Sequence, residues 1–168
     1  VAKRQNSSSA TTNSGQQANK TGNQLEEFVE NALVSKGYIE FSGNKALAFA
    51  NIGILGGKQY IKQLKVGTTI YDTDRRCDFF VVNEHLFADG LVIECKWQQR
   101  SGSVDEKYPF LLFNIMKAGI TTVVLLDGGG YKPAAMEWLK RQADPVAALI
   151  AVWDMSEFQK QINNGFFG

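Results

Sequence analysis

Apolar residues along the chain change period twice, and the changes mark its elements. In "TGNQLEEFVENALVSKGY" the positions Leu25, Phe28, Val29, Ala32 and Leu33 fall at helical spacing, and Gly37 is a natural stop. The preceding residues 1 to 20 are small or polar with no periodic apolar positions, which reads as a flexible tail or linker ahead of one domain over 21 to 168. Residues 38 to 57 are compatible with strand, helix or loop. From position 58, "KQYIKQLKV", "RRCDFFVV" and "LVIECKW" read as strands, with a turn-rich "GTTIYDTD" between the first two and a hairpin link "NEHLFADG" before the third.

Helices and strands then alternate. Ser103 with Glu106 resembles a capping box, "YPFLLFNIMKAG" has helical spacing closed by Gly119, and "TTVVLL" is a buried strand. Pro133 opens a helix to about Gln142, "AALIAVW" is a further strand, and Asp154 caps a last helix. A strand, helix, strand crossover requires parallel pairing. The expected fold is therefore α/β, with a mixed central sheet in which an antiparallel hairpin is followed by parallel strands.

In the third strand Val92, Glu94, Lys96 and Gln98 share one face, and Leu91, Ile93, Cys95 and Trp97 the other. Pairing 75–82 with 91–97 in one register sets Asp78 opposite Glu94, Phe80 opposite Val92 and Cys77 opposite Cys95, with the turn centred on Leu86. Opposed side chains lie roughly 5 Å apart at Cβ. Two carboxylates held that close repel, and a divalent cation gives a reason to keep them. Magnesium takes carboxylate, carbonyl and water oxygens, commonly one or two protein carboxylates beside a substrate phosphate. Asp78 and Glu94 supply such ligands, with the Cys95 backbone carbonyl as a third. Lys96 beside them can orient an attacking water and offset charge on a phosphate.

The set Asp78, Glu94, Cys95 and Lys96 resembles the signature of the PD-(D/E)XK nuclease superfamily, with Cys77 in place of the proline of the namesake motif. "TGNQLEEFVENAL" is similar to the G-x-x-x-E opening of archaeal Holliday-junction resolvases, which maps onto Gly22 and Glu26. Helical geometry favours the same acid, because Glu26 borders the apolar face while Glu27 points away from it. "ECKWQQRSGSVDEKYPF" resembles the continuation in restriction-type and phage-type nucleases, adding Gln98 on the site face and Lys107 at a helix start. The resemblance covers roughly residues 21 to 153. It implies a restriction-endonuclease-like fold and a DNA-cleaving hydrolase using Mg2+, with Mn2+ as a substitute. Glu26, Asp78, Glu94, Lys96 and Gln98 are its candidate catalytic residues, with Glu26 also a candidate ligand. A catalytically inactive nucleic-acid-binding or assembly module on the same fold is the alternative.

Composition narrows this reading little. With 44% apolar and 21% charged residues the chain has a soluble protein's balance, and no apolar run is long enough for a membrane span. A net charge of +1 gives no global basic field, so DNA contacts fall to local groups: Lys58, Lys62, Arg75, Arg76, Arg100 and Lys107. Two cysteines beside acids look like core residues with free thiols, and with no secretory signal visible the expectation is a cytoplasmic protein. Cutting both strands suits a homodimer, though no interface is legible. "DGGGYK" lacks phosphate-loop spacing, and His85, the single histidine, falls in the predicted hairpin turn.

Overall fold

The computed structural model describes residues 12–99 and 103–168. It contains a six-stranded sheet ordered β1-β2-β5-β6-β7-β8, a separate two-stranded ribbon β3-β4, and five α-helices among the described residues. The strands are β1 (Ile39–Glu40), β2 (Lys58–Lys62), β3 (Lys65–Thr68), β4 (Asp74–Arg76), β5 (Phe79–Asn83), β6 (Phe87–Trp97), β7 (Thr122–Asp127) and β8 (Leu149–Trp153). The helices are α1 (Thr12–Ser35), α2 (Lys45–Ala50), α3 (Lys107–Ala118), α4 (Pro133–Lys140) and α5 (Met155–Asn163). β2/β5 and β5/β6 are antiparallel, while β6/β7 and β7/β8 are parallel. The sheet is therefore mixed, as the crossover argument requires. No helix among the described residues is long and apolar enough to cross a membrane.

Three differences from the sequence expectation have physical causes. First, α1 begins at Thr12, so residues 12 to 20 of the polar stretch are helical, and 1 to 11 lie outside the described residues. Gln16, Gln17, Ala18 and Lys20 are good helix formers, and extending a helix already nucleated by a buried face costs little. Second, the undecided region 38 to 57 holds β1, α2 and a short 3-10 turn, with Asn44 capping α2 by accepting N–H bonds from Ala46 and Leu47. Third, a 3-10 turn over Ser103–Glu106 precedes α3, so the helix expected from that stretch starts only at Lys107, with Glu106 making no side-chain cap bond. The Asp154 cap does form, with Glu157 completing a reciprocal capping box.

Alternation along the strands divides the core between the sheet's two faces. Phe79, Val81, Leu91, Ile93, Val123 and Leu125 pack with Leu25, Val29 and Leu33 of α1 and with Phe158 and Ile162 of α5. On the opposite face there are two clusters. Ile61, Phe80, Val82 and Val92 pack with Ala48 of α2 and Leu64, and Val124, Leu126 and Val152 pack with α3 and α4. Glu94, Lys96 and Gln98 continue the Val92 row between these two clusters, where a cleft opens.

The hairpin register holds where it was tied to apolar pairs: Phe79 faces Ile93, Phe80 faces Val92 and Val81 faces Leu91. A register shift follows Val81, so Asn83 faces Phe87 and the turn centres on His85 rather than Leu86. Gly90 sits beside this irregularity at φ +88°, and a Cβ there would lie 2.1 Å from the ring of the buried Phe80. Gly90→Ala is expected to destabilise the fold by about 3 kcal/mol, from backbone strain and overpacking together. Urea unfolding with an unchanged m-value is the measurement that checks it.

Candidate active site

The site is made by a hairpin that forks. β2 pairs with β5 up to Lys62–Phe79, and the same register continues through Gln63 N–H donating to the Asp78 carbonyl (3.1 Å) and Cys77 N–H donating to the Leu64 carbonyl (3.0 Å). It then reaches Lys65 facing Arg76 in the β3-β4 ribbon. The long strands expected over 58–66 and 75–82 are thus each broken, at Gln63–Leu64 and Cys77–Asp78. Gln63 takes a left-handed φ of +53° at the break. β6 runs on past the end of β5, paired only with β7 as far as Trp97–Asp127.

Asp78 fills the gap left by β5. Val92 and Gln98 donate their N–H groups to the β7 side, so by alternation Cys95 directs both its main-chain groups toward the β5 side. Its N–H finds no strand there and donates to Asp78 Oδ2 at 2.7 Å. The Cys95 carbonyl faces the same gap. Lys96 Nζ donates to Asp78 Oδ2 at 3.1 Å and to Glu94 Oε2 at 2.8 Å. One ammonium therefore joins the two acids. Burial opposes that charge, but Glu94 and then Asp78 more than offset the burial, so the Lys96 pKa is raised above the ordinary lysine range.

Glu94 has a second cation. Arg75 Nη2 donates to Glu94 Oε1 at 2.6 Å, and the two side chains are 5% and 6% exposed. The sequence placed Arg75 among DNA contacts, whereas it is a buried ion-pair partner, carried inward because the break at Cys77–Asp78 turns the ribbon across the sheet. The same break sends Cys77 into the Phe80–Val92 cluster while Cys95 packs on the α1 face. The two cysteines, expected opposite each other on one face, lie on opposite faces as free thiols. The Cys77 N–H bond to Leu64 is one that proline could not make.

From the α1 side Glu26 approaches half-buried, with Glu27 exposed, as the helical spacing predicts. Burial first, then the Asp78 charge, push the Glu26 carboxyl up, against the opposing pull of Lys96, Lys62 and Gln63. Gln63, which no sequence pattern marked, places Nε2 3.4 Å from Asp78 Oδ1, and its carbonyl accepts from Arg76 Nη1 at 3.0 Å. A cleft of about 580 Å³ on the opposite side is lined by Glu94, Lys96, Gln98, Arg76, Lys107 and Phe110, among others.

The remaining predicted contacts separate. Gln98 lines the cleft but is only 4% exposed, its Nε2 donating to Asp105 and to the Gly130 carbonyl while its Oε1 accepts from Tyr108. Its amide is committed to these loops rather than to a water or phosphate. Lys62 is paired with Glu30 at 2.8 Å, a partner reading from sequence missed. Lys58 stands at the other end of β2, donating to the carbonyls of Lys36 and Gly168, so it belongs to a C-terminal clasp and not to the site. Arg100 lies outside the described residues.

A broken hairpin over a mixed sheet, with two acids and a lysine at the fork, defines a restriction-endonuclease-like protein. A family model described as a PD-(D/E)XK nuclease superfamily domain matches residues 17–166. The chain belongs to that superfamily, which carries nuclease activity and a nucleic-acid substrate with it. No curated protein and no solved structure matches the chain.

Two outcomes follow from this electrostatic arrangement. Arg75→Met leaves Glu94 buried without its guanidinium and is expected to cost about 3–5 kcal/mol, much of it recovered in the Arg75→Met/Glu94→Gln double variant; urea unfolding of all three closes the cycle. Because Glu26 has its pKa raised on folding, its ionised form opposes the fold above the ordinary carboxylate range, and the opposition disappears once it is protonated. Glu26→Gln should therefore be more stable than wild type at pH 7, with the gap closing as pH falls through the raised folded pKa toward 4.5, in thermal melts across that window.

Proposed function

We propose that the protein is a magnesium-dependent endonuclease that hydrolyses DNA phosphodiester bonds. The observation that carries this reading is the single Lys96 ammonium joined to both Asp78 and Glu94, at the point where β5 leaves β6. Closing the sheet at the fork needs one acid, Asp78, to accept the Cys95 N–H; the second, the buried Glu94, takes no part in that closure.

The donors fit a hard divalent cation. Asp78 and Glu94 carry carboxylate oxygens and the Cys95 carbonyl faces the same gap; among the described residues no three His, Cys, Asp or Glu side chains group to hold a metal, so the set is two carboxylates and a main-chain oxygen. Two carboxylates plus a carbonyl, completed by substrate phosphate, is a magnesium-type set rather than a zinc-type one. When bound, Mg2+ supplies Lewis-acid polarisation of the phosphate and neutralises charge developing on it.

The chain's own residues do the rest. The two acids beside Lys96 favour its charged form. Lys96 acts as a fixed positive charge that orients the incoming water and stabilises negative charge on the phosphate oxygens. Glu26, with its carboxyl pushed toward the neutral form, is suited to receive a proton from that water. Arg75 pairs with the buried Glu94 and holds its side chain in place. Arg76 and Lys107, at the cleft wall, meet the flanking phosphates.

Supercoiled, linear, single-stranded and branched DNA incubated with Mg2+ or with chelator tests activity and substrate class together. Cleavage should require the metal, with Mn2+ able to replace it. Lys96→Ala is expected to lower the rate by about 10²-fold or more while circular dichroism and DNA binding stay near wild type. Cleavage by that variant at the wild-type rate would overturn the assignment.

A further inference from the structure

One feature beside the cleft is unexplained by phosphodiester chemistry. The tip of the β3-β4 ribbon carries Tyr71, 73% exposed, with its ring stacked on Phe110 of α3 at 5.3 Å between centroids and 24° between planes. An exposed aromatic pair is costly to leave in water and is ordinarily mobile. This one is held. Ile70 N–H donates to Asn114 Oδ1 at 2.8 Å, and Lys117 Nζ donates to Asp72 Oδ1 at 2.6 Å and to the Thr69 carbonyl at 2.8 Å. Asp72, next to Tyr71, is kept at a left-handed φ of +59°. A tip fixed by three tethers and a strained residue is built to present its ring in one place.

The place is the mouth of the reactive cleft. Phe110 lines the cleft that contains Glu94 and Lys96, and it also lines an adjoining hollow of about 470 Å³ together with Tyr71, Glu106 and Lys107. A strand with a phosphate at Lys96 has Lys107 available for its next phosphates, and the platform lies beyond on the same wall. Every base has a π-face, so an aromatic platform beside basic groups takes bases irrespective of sequence. Bases within a duplex are already stacked on each other and have no face to offer it.

We infer that Tyr71 and Phe110 form a stacking platform for an unpaired base next to the scissile phosphate, so that the preferred substrate carries single-stranded nucleotides at the cut. The inference rests on the DNA reading above and adds the strandedness of the substrate.

The test measures binding in chelator, where no cleavage occurs, of a blunt duplex and of the same duplex with a single-stranded overhang containing 2-aminopurine. Wild type, Tyr71→Ala and Tyr71→Phe are compared by anisotropy and by 2-aminopurine fluorescence. Wild type should bind the overhang substrate about tenfold more tightly and quench its probe. Tyr71→Ala should lose both effects, Tyr71→Phe should keep them, and blunt-duplex affinity should be the same in all three. Equal affinity of wild type for the two substrates, or a preference and quenching that survive in Tyr71→Ala, would overturn the platform while leaving the nuclease reading intact. Failure of wild type to bind any of the DNAs would overturn both. Sedimentation supplies the remaining outcome: a dimer that becomes monomeric in Tyr71→Ala with overhang preference unchanged would make this face, with Phe113 and Met116 exposed beside it, an interface between copies and reject the platform.

Discussion

The structure turns on one hydrogen bond, from the Cys95 N–H to the Asp78 carboxylate. A strand that outruns its neighbour leaves main-chain groups without partners, and a buried N–H without an acceptor is expensive. Here the acceptor is the first residue after the fork, so closing the sheet and delivering the acid are a single event. Without Asp78 the Cys95 amide would have nothing to bond to. Without the fork Asp78 would be one more position in a ladder, its side chain confined by cross-strand neighbours. The strained Gln63 follows from the same demand, because the opposite arm of the hairpin must break at the same level.

Charge at the fork is balanced in a way that trades stability against readiness. Asp78 and Glu94 share Lys96, Glu94 has Arg75 to itself, and Glu26 is left with an acid for its nearest strong influence. Replacing a buried ion pair such as Arg75–Glu94 by apolar residues of similar size is often neutral or stabilising. The pair with Arg75 therefore does more to fix where the Glu94 side chain sits beneath the cleft than to add to the stability of the fold. Glu26 shows the same compromise from the other direction, since its carboxyl is held where folding disfavours its charge.

Much of this could be read from residues alone, and the reason is periodicity. A strand's period of two fixes which residues share a face, and the register that set Asp78 opposite Glu94 also set Phe80 opposite Val92; the structure keeps that apolar pair, ends β5 at Phe79, and joins Asp78 to Glu94 through Lys96 rather than as a ladder pair. What escaped that reading lies where alternation stops. The break at Cys77–Asp78 moved Cys77 to the other face and Arg75 into the interior, and no local pattern announces the level at which the hairpin leaves β6. Lys62 was read as a free cation because its partner Glu30 is 32 residues away. Lys58 was grouped with the site by closeness in sequence, although five residues of β2 separate the sheet's two ends.

The glycine-rich "DGGGYK" has a part in the fold that its spacing does not announce. Gly128 has φ +106°, and a Cβ there would lie 2.4 Å from the Gln98 carbonyl oxygen, a clash with main chain that no side-chain adjustment relieves. Gly130 then donates its N–H to that same carbonyl at 2.7 Å and accepts from the Gln98 amide. Glycine is required at Gly128 because two backbones touch. The contact locks the end of β6 to the loop after β7, and Tyr108 ties the same glutamine to α3. Gln98 thereby sets the distance between the strand bearing Lys96 and the helix bearing Lys107 and Phe110. A residue that looked like a ligand for water or phosphate instead ties the end of β6 to the loop after β7 and to α3, on either side of the cleft.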